Sequence, residues 1–169
     1  LATGAVTIAG GTLNLNGFNE TNIGAVTLID NGSIVNTGGA ATLTSTATYT
    51  VESGTISAVL GGAVAAGITK NTSGRVIISG DNTFTGTSVA LNAGYLNLRH
   101  NNALGAAATG LTFTILGGAT LELENNITLP VTKNITGHGL GVGNVGYIRN
   151  VSGTNTIGAS ISIISSNVR

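Results

Sequence analysis

The chain has 169 residues, 41% of them hydrophobic, and its six acidic and six basic side chains cancel to a formal net charge of zero. That apolar content can fill a core, while a charged fraction of only 7% leaves no field to steer nucleic acid or an anionic membrane toward the surface. With no Cys, Met or Trp and one Pro against 27 Gly, disulfides and thiolate metal sites are excluded, and Val, Ile, Leu and Ala must build the interior.

Short runs of period-two alternation, each bounded by Gly, Asn, Ser or Asp, predict strands throughout. In chain order they are Gly11 to Leu15 (GTLNL), Val26 to Ile29, Ser33 to Val35, Thr48 to Val51, Thr55 to Val59 and Gly74 to Ile78 (GRVII). Val89 to Leu91, Gly94 to Leu98 (GYLNL), Leu111 to Ile115, Ala119 to Leu123 (ATLEL), Tyr147 to Val151 and Ile161 to Ile164 follow. GTLNL, GRVII, GYLNL and ATLEL share one form, a small residue first and apolar residues third and fifth, which predicts that the third and fifth positions face the core. The phrase SGDNTF at Ser79 to Phe84 returns as SGTNTI at Ser152 to Ile157. The small-residue stretches Val59 to Ile68 and Ala103 to Gly110 predict tight corners rather than helical turns, because glycine disfavours helix and neither stretch has helical periodicity.

Two all-β architectures fit such a pattern. Antiparallel hairpins in a sandwich or barrel need two-residue turns such as Asn-Gly, and Asn31-Gly32 is such a case. Strand-like phrases that recur in one order instead predict a right-handed parallel β-helix, a β-solenoid. With about 20–25 residues per coil and coils about 4.8 Å apart, it would have about seven or eight coils over about 35–40 Å. Residues 1–169 are expected to form a single β-solenoid segment of a longer polypeptide, because the chain opens at Leu1 and stops at Arg169 without polar caps over the end coils. Neither a signal peptide nor a long apolar span is present, so no direct membrane insertion is expected.

Few residues suggest chemistry. Asp30 and Asp81 lie far apart, and Glu122 and Glu124 share a strand face, where the plain expectation is two solvated side chains beside core-facing Leu121 and Leu123. His100 and His138, the two histidines, are expected in exposed turns without further ligands near them. Arg99 with His100, and Lys70 with Arg75, are too sparse for a basic patch. Gly137 to Gly146 (GHGLGVGNVG) has glycine spacing suited to a phosphate loop, yet no helix follows to supply the anion site, and an irregular corner is expected. The six aromatic residues, Tyr49, Tyr95, Tyr147, Phe18, Phe84 and Phe113, are too dispersed for a sugar-stacking platform. Asn-X-Ser/Thr triplets, as at Asn71, Asn126 and Asn134, are expected by chance in so Asn- and Thr-rich a chain. No catalytic, cofactor-binding or metal-binding residue is therefore assigned, and no cofactor.

The run SGDNTFTG, VALNAGYLNL, NNALG within Ser79 to Gly105 resembles the autotransporter-associated β-strand repeat, whose usual form is close to SGANTYTGGTTVNAGTLQLGNNNALG. Leu91, Asn92, Ala93 and Gly94 fall on its VNAG, and Leu96 and Leu98 on its two core leucines. Thr85 to Leu91 is one residue longer than the family form. Gly11 to Thr21 and Gly146 to Ile157 resemble segments that lie between such repeats in very large bacterial surface proteins.

The resemblance implies a secreted or cell-surface β-helical passenger or fibre of a bacterium, attached elsewhere to an outer-membrane barrel or another anchor. The expected role is a non-catalytic structural or adhesive segment: a spacer, fibre or matrix component. Its expected partners are the rest of its own chain or further copies of itself, assembled end to end or laterally, and surface glycans, but not nucleic acid. The alternative is a carbohydrate-binding or polysaccharide-degrading β-helix module, which would bring at least three carboxylate, Arg or Lys side chains together in one groove.

Overall fold

The computed structural model describes residues 3–63, 67–106 and 110–164. The chain winds through about seven turns of a parallel β-solenoid. One face is an eight-stranded sheet of β1 (Val6–Ala9), β4 (Val26–Ile29), β7 (Tyr49–Val51), β10 (Ile68–Lys70), β12 (Ser88–Leu91), β14 (Leu111–Ile115), β17 (Lys133–Gly137) and β20 (Ile161–Ile163). A second, seven-stranded face holds β2 (Thr12–Asn14), β5 (Gly32–Val35), β8 (Gly54–Ile56), β11 (Arg75–Ile78), β13 (Gly94–Leu98), β15 (Ala119–Leu123) and β18 (Ile148–Asn150). The third position in the coil is taken by β3 (Glu20–Ile23), β6 (Thr42–Ser45) and β9 (Val59–Gly61), and later by β16 (Thr128–Leu129) and β19 (Thr156–Ile157).

All pairings among the described strands are parallel, so each strand bonds to its counterpart one coil away and never to its neighbour in sequence. Along the first face a coil takes from 19 residues, Tyr49 to Ile68, up to 26, Ile135 to Ile161, and the corners absorb the variation. This removes the sandwich and barrel alternatives.

Register turns alternation into columns. On the first face Val6, Val26, Tyr49, Ile68, Val89, Phe113, Ile135 and Ile161 stand in line. On the second, Leu13, Ile34, Ile56, Ile78, Leu98 and Leu123 do the same, and Val76, Leu96 and Leu121 form a parallel file. Most of these side chains are fully buried, and burying each contributes about 1.5–3 kcal/mol. The third and fifth residues of GRVII, GYLNL and ATLEL face inward as expected. GTLNL is offset by two positions, because Leu13 aligns with Ile34 and through it with Ile78. The place of Val76 is then taken by Gly32 and Gly54 in earlier coils. Gly54 sits at φ 128°, and a Cβ there would collide with the carbonyl oxygen of Gly32.

Corners carry the remaining backbone polarity. Every described non-glycine residue with positive φ is Asn or Asp: Asn16, Asn22, Asp30, Asn31, Asn125, Asn126 and Asn144. Asp30 and Asn31 therefore form a left-handed two-residue turn, but it joins strands of different sheets rather than a hairpin. Thr55 to Val59 likewise breaks at Ser57 and Ala58 into β8 and β9. In SGDNTF, Asn82 Oδ1 accepts the Leu60 N–H of the previous coil at 2.8 Å while its Nδ2 donates to Ala103 O of the next at 2.7 Å. Asn155 in SGTNTI accepts the Ile127 N–H at 2.8 Å in the same way, so the repeated phrase is a side chain stitching coils together. Phe84, last in its phrase, is buried with its ring 6.0 Å from that of Tyr49. Parts of Val59 to Ile68 and of Ala103 to Gly110, the expected tight corners, lie outside the described residues; Ala103 and Leu104 are buried in a turn.

Two lysines enter the interior, which alternation alone did not indicate. Lys70 occupies the file of Leu91 and Ile115, and its Nζ donates to Glu52 O at 2.9 Å and Thr72 O at 2.6 Å. Burial pulls its pKa down to about 8, although the Glu52 charge works in the opposite direction. Lys133 is held similarly by Leu104 O and Ala106 O, at 3.3 and 3.0 Å, and burial lowers its pKa too. Burial acts to raise the Glu52 carboxyl, but hydrogen bonds from Asn71 and Thr72 outweigh it and hold the group below its ordinary range.

Two outcomes test this packing. In urea unfolding, Phe113→Ala is expected to cost about 3–5 kcal/mol, whereas Thr112→Ala, one residue earlier but exposed, should stay within about 0.5 kcal/mol. For Lys70, the folded group loses its proton near pH 8 and the unfolded one near 10.5, so between these values the unfolded chain holds more protons. Stability should therefore climb with pH across that window, with no gain below it. Thermal melts of Lys70→Met should show a shallower climb than the parent chain.

Candidate functional site

The outer side of the second face is ordinary in its early coils and unusual in its later ones. In one outward file Thr12, Ser33 and Thr55 are small and polar, as suits a wet sheet surface; Ile77, Asn97, Glu122 and Arg149 follow in the same line. Beside it run Arg75, Tyr95 and Thr120 on one flank, and Arg99 and Glu124 on the other. Parallel register thus gathers three arginines and two glutamates from β11 through β18, in a chain where charge is scarce.

Glu122 is the centre. Its side chain is 1% exposed, so it is not solvated as the sequence alone suggested. Stacking places Arg75 two coils before it and Arg149 one coil after, and these guanidinium groups close over the carboxylate. Oε2 accepts from Arg75 Nη1 and from Asn97 Nδ2, the latter at 3.2 Å. Oε1 has no hydrogen-bond partner and faces Arg149 Nη1 at 3.6 Å. Glu124 is better exposed, and its Oε2 takes Arg99 Nη2 at 2.9 Å and Asn97 Nδ2 at 3.1 Å. Arg99 Nε also donates to Asn97 Oδ1 at 3.0 Å, so the buried Asn97 amide ties the two carboxylates to one network. Arg75 lies over the Tyr95 ring, 4.3 Å from its centroid, an arrangement that a cation and an aromatic face favour.

Chemically, both carboxylates are engaged as ion-pair acceptors. The three arginines keep outward surface, with side chains 43%, 38% and 45% exposed for Arg75, Arg99 and Arg149. Three guanidinium charges against two carboxylates leave one positive charge in excess.

The glycine-rich stretch borders this cluster. A short 3-10 turn at Val142–Asn144 folds against Thr120, whose Oγ1 accepts the Val142 N–H at 2.9 Å and donates to Gly146 O at 3.0 Å. It is an irregular corner, as expected, and leaves Leu140 and Val145 exposed. Tyr147, which follows it, packs where Gly137 lacks a side chain.

The remaining candidates stay apart. Asp30 is a corner residue. Asp81 Oδ1 accepts Asn102 Nδ2 at 2.9 Å and lies 3.6 Å from His100 Nδ1, but that nitrogen accepts the Asn102 N–H at 3.2 Å and so makes no bond to Asp81. His138 follows β17, on a different coil, beside Gly117. Among the described residues no three His, Asp or Glu side chains are placed to share a metal ion. Lys70 on the first face points inward, whereas Arg75 on the second face points outward. Tyr49, Phe84 and Phe113 are core residues; the Tyr49 hydroxyl lies 2.7 Å from both Leu43 O and Gly61 O, and burial raises its pKa to about 12. Phe18 is exposed. A shallow hollow of about 310 Å³ lies along β1 and β2, and its lining from Val6 to Leu13 contains no ionisable side chain.

Compared with protein-family models, curated proteins and solved structures, the chain matches none.

A double-mutant cycle tests the central pairing. Arg75→Ala and Glu122→Ala should each destabilise the fold, and their effects should fall short of additive by about 0.5–3 kcal/mol in urea unfolding. Strict additivity would show that the two side chains act independently.

Proposed function

We propose that the chain is a non-catalytic structural segment of a large bacterial extracellular or cell-surface β-helical protein, of the kind built from autotransporter-associated repeats. Its task in this reading is mechanical: a stiff, protease-resistant spacer or fibre element that holds other parts of the protein away from the surface. The observation that carries it is the ladder itself, in which aliphatic columns run from coil to coil and inter-coil hydrogen bonds cross every face. The Ser79 to Gly105 phrase supports the family assignment, since Leu96 and Leu98, its two core positions, are fully buried.

A degradative role has weaker support. A general base needs a carboxylate or imidazole with a lone pair directed at substrate, whereas Glu122 is buried beneath Arg75 and Glu124 Oε2 accepts from Arg99 and Asn97. The flat outer wall at the cluster suits contact with an extended polymer better than enclosure of a scissile bond.

Incubation with acidic and neutral polysaccharides should release neither reducing ends nor unsaturated products, and limited proteolysis should leave the solenoid body intact. Turnover abolished by Glu122→Gln would overturn the structural reading and make the cluster an active site.

A further inference from the structure

We infer that the outer wall over β11, β13, β15 and β18 is a binding strip for the carboxylate groups of an acidic polysaccharide, with Arg75, Arg99 and Arg149 as the anion contacts. The inference goes beyond the structural role and stands separately from it.

Energetic contrast is the first reason. A buried ion pair rarely stabilises a fold better than uncharged residues of similar size, because desolvating the charges offsets their attraction. The same outward file is served by Thr12, Ser33 and Thr55 in earlier coils, which meet the needs of a solvated sheet at no such cost. Replacing that pattern with Asn97, Glu122 and Arg149 is not required by coil stacking.

Geometry is the second. Arg75 and Arg149 flank one carboxylate from opposite coils, so Glu122 hydrogen-bonds Arg75 and attracts Arg149 by charge at 3.6 Å from beneath, while their outer edges stay in water. Arg75 Nη2 and Nε, and all of the Arg149 donors, have no hydrogen-bond acceptor among the described residues. A guanidinium presents paired N–H groups that match the two oxygens of a carboxylate. Glu122 is a positioning residue here, and its Oε1, buried and lacking a donor, lies 3.6 Å from Arg149 Nη1 and can accept from it if that side chain shifts on binding.

Shape supplies the third reason and selects a polymer. The strip lies on an open wall, with arginines on β11, just after β13 and on β18. Strands about 4.8 Å apart spread these charges over three steps, about 14 Å along the axis. A single sugar would touch one of them, whereas an extended chain of uronic acids offers carboxylates along its length. Its association should weaken with salt, because exposed charges carry it.

Affinity electrophoresis and calorimetry of the 169-residue chain with polygalacturonate provide the test, with dextran, dextran sulfate and polyglutamate as comparison polymers. The parent chain should be retarded by polygalacturonate and not by dextran, and Arg149→Gln and Arg99→Gln should each weaken binding roughly tenfold, the worth of one charged hydrogen-bonding contact. Arg149→Lys keeps the charge and is expected to bind at an intermediate level; circular dichroism checks that each variant is folded. Should Arg149→Gln unfold, loss of binding in the folded Arg99→Gln alone would carry the result. The assignment is overturned by absence of retardation, by unchanged binding in the folded glutamine variants, or by equal retardation with dextran sulfate or polyglutamate, which would reduce the effect to unspecific charge.

Discussion

Parallel, in-register stacking of one coil on the next is the constraint from which the rest of this structure follows. Each strand exchanges its backbone hydrogen bonds with the strands one coil before and after, so a position on one coil inherits the environment of its counterparts. An inward position must be apolar in coil after coil, which is why Val, Ile, Leu and a few aromatic rings form files. An outward position must tolerate its own kind at strand spacing, which is why Thr and Ser prevail and charge is rare. The exceptions therefore carry the information.

Inward exceptions are resolved by the corners. Lys70 and Lys133 lie where an aliphatic residue would serve, and each turns its ammonium onto two carbonyl oxygens. In this fold a corner exposes carbonyls that no strand in the next coil can satisfy, and a long cationic side chain reaching from inside is one way to pair them. Asn82 answers the same need with an amide that donates to one coil and accepts from another, and Asn155 accepts from the coil before it while its Nδ2 donates to Ser152 O within its own corner. On the outside Asn92 links one coil to the previous one, its Nδ2 donating to Asn71 Oδ1 at 2.8 Å. The coils are thus held at their corners by side chains as well as along their walls by backbone.

Outward exceptions concentrate on one wall. A sheet surface with Thr12, Ser33 and Thr55 has no use for a carboxylate at 1% exposure, yet the same file delivers Glu122. Its neighbours were recruited from sequence distances that no local pattern reveals: Arg75 lies 47 residues before it and Arg149 follows after a glycine-rich corner. The register of β11, β13, β15 and β18 assembles the group without any loop having to reach across.

Much of the architecture was legible in the residues. Alternation set the strand positions, GRVII, GYLNL and ATLEL named their own buried residues, and the Asn and Gly punctuation marked left-handed corners, all because these depend on chemistry within a few residues. The parallel topology was legible too, since identical phrases in one order stack only when the chain winds in one direction. The strands β3, β6, β10 and β17 do not stand out in the sequence, as each holds a single aliphatic residue and so no alternation, and the two-residue offset of GTLNL is invisible there because register belongs to pairs of coils. What tertiary structure alone decided is which outward residues meet. Glu122 reads locally as one more solvated side chain, and it becomes a buried ion-pair centre only because coils of unequal length bring Arg75 and Arg149 over it. Corner lengths set that alignment, and no single stretch of the chain encodes how its neighbours two coils away will fall.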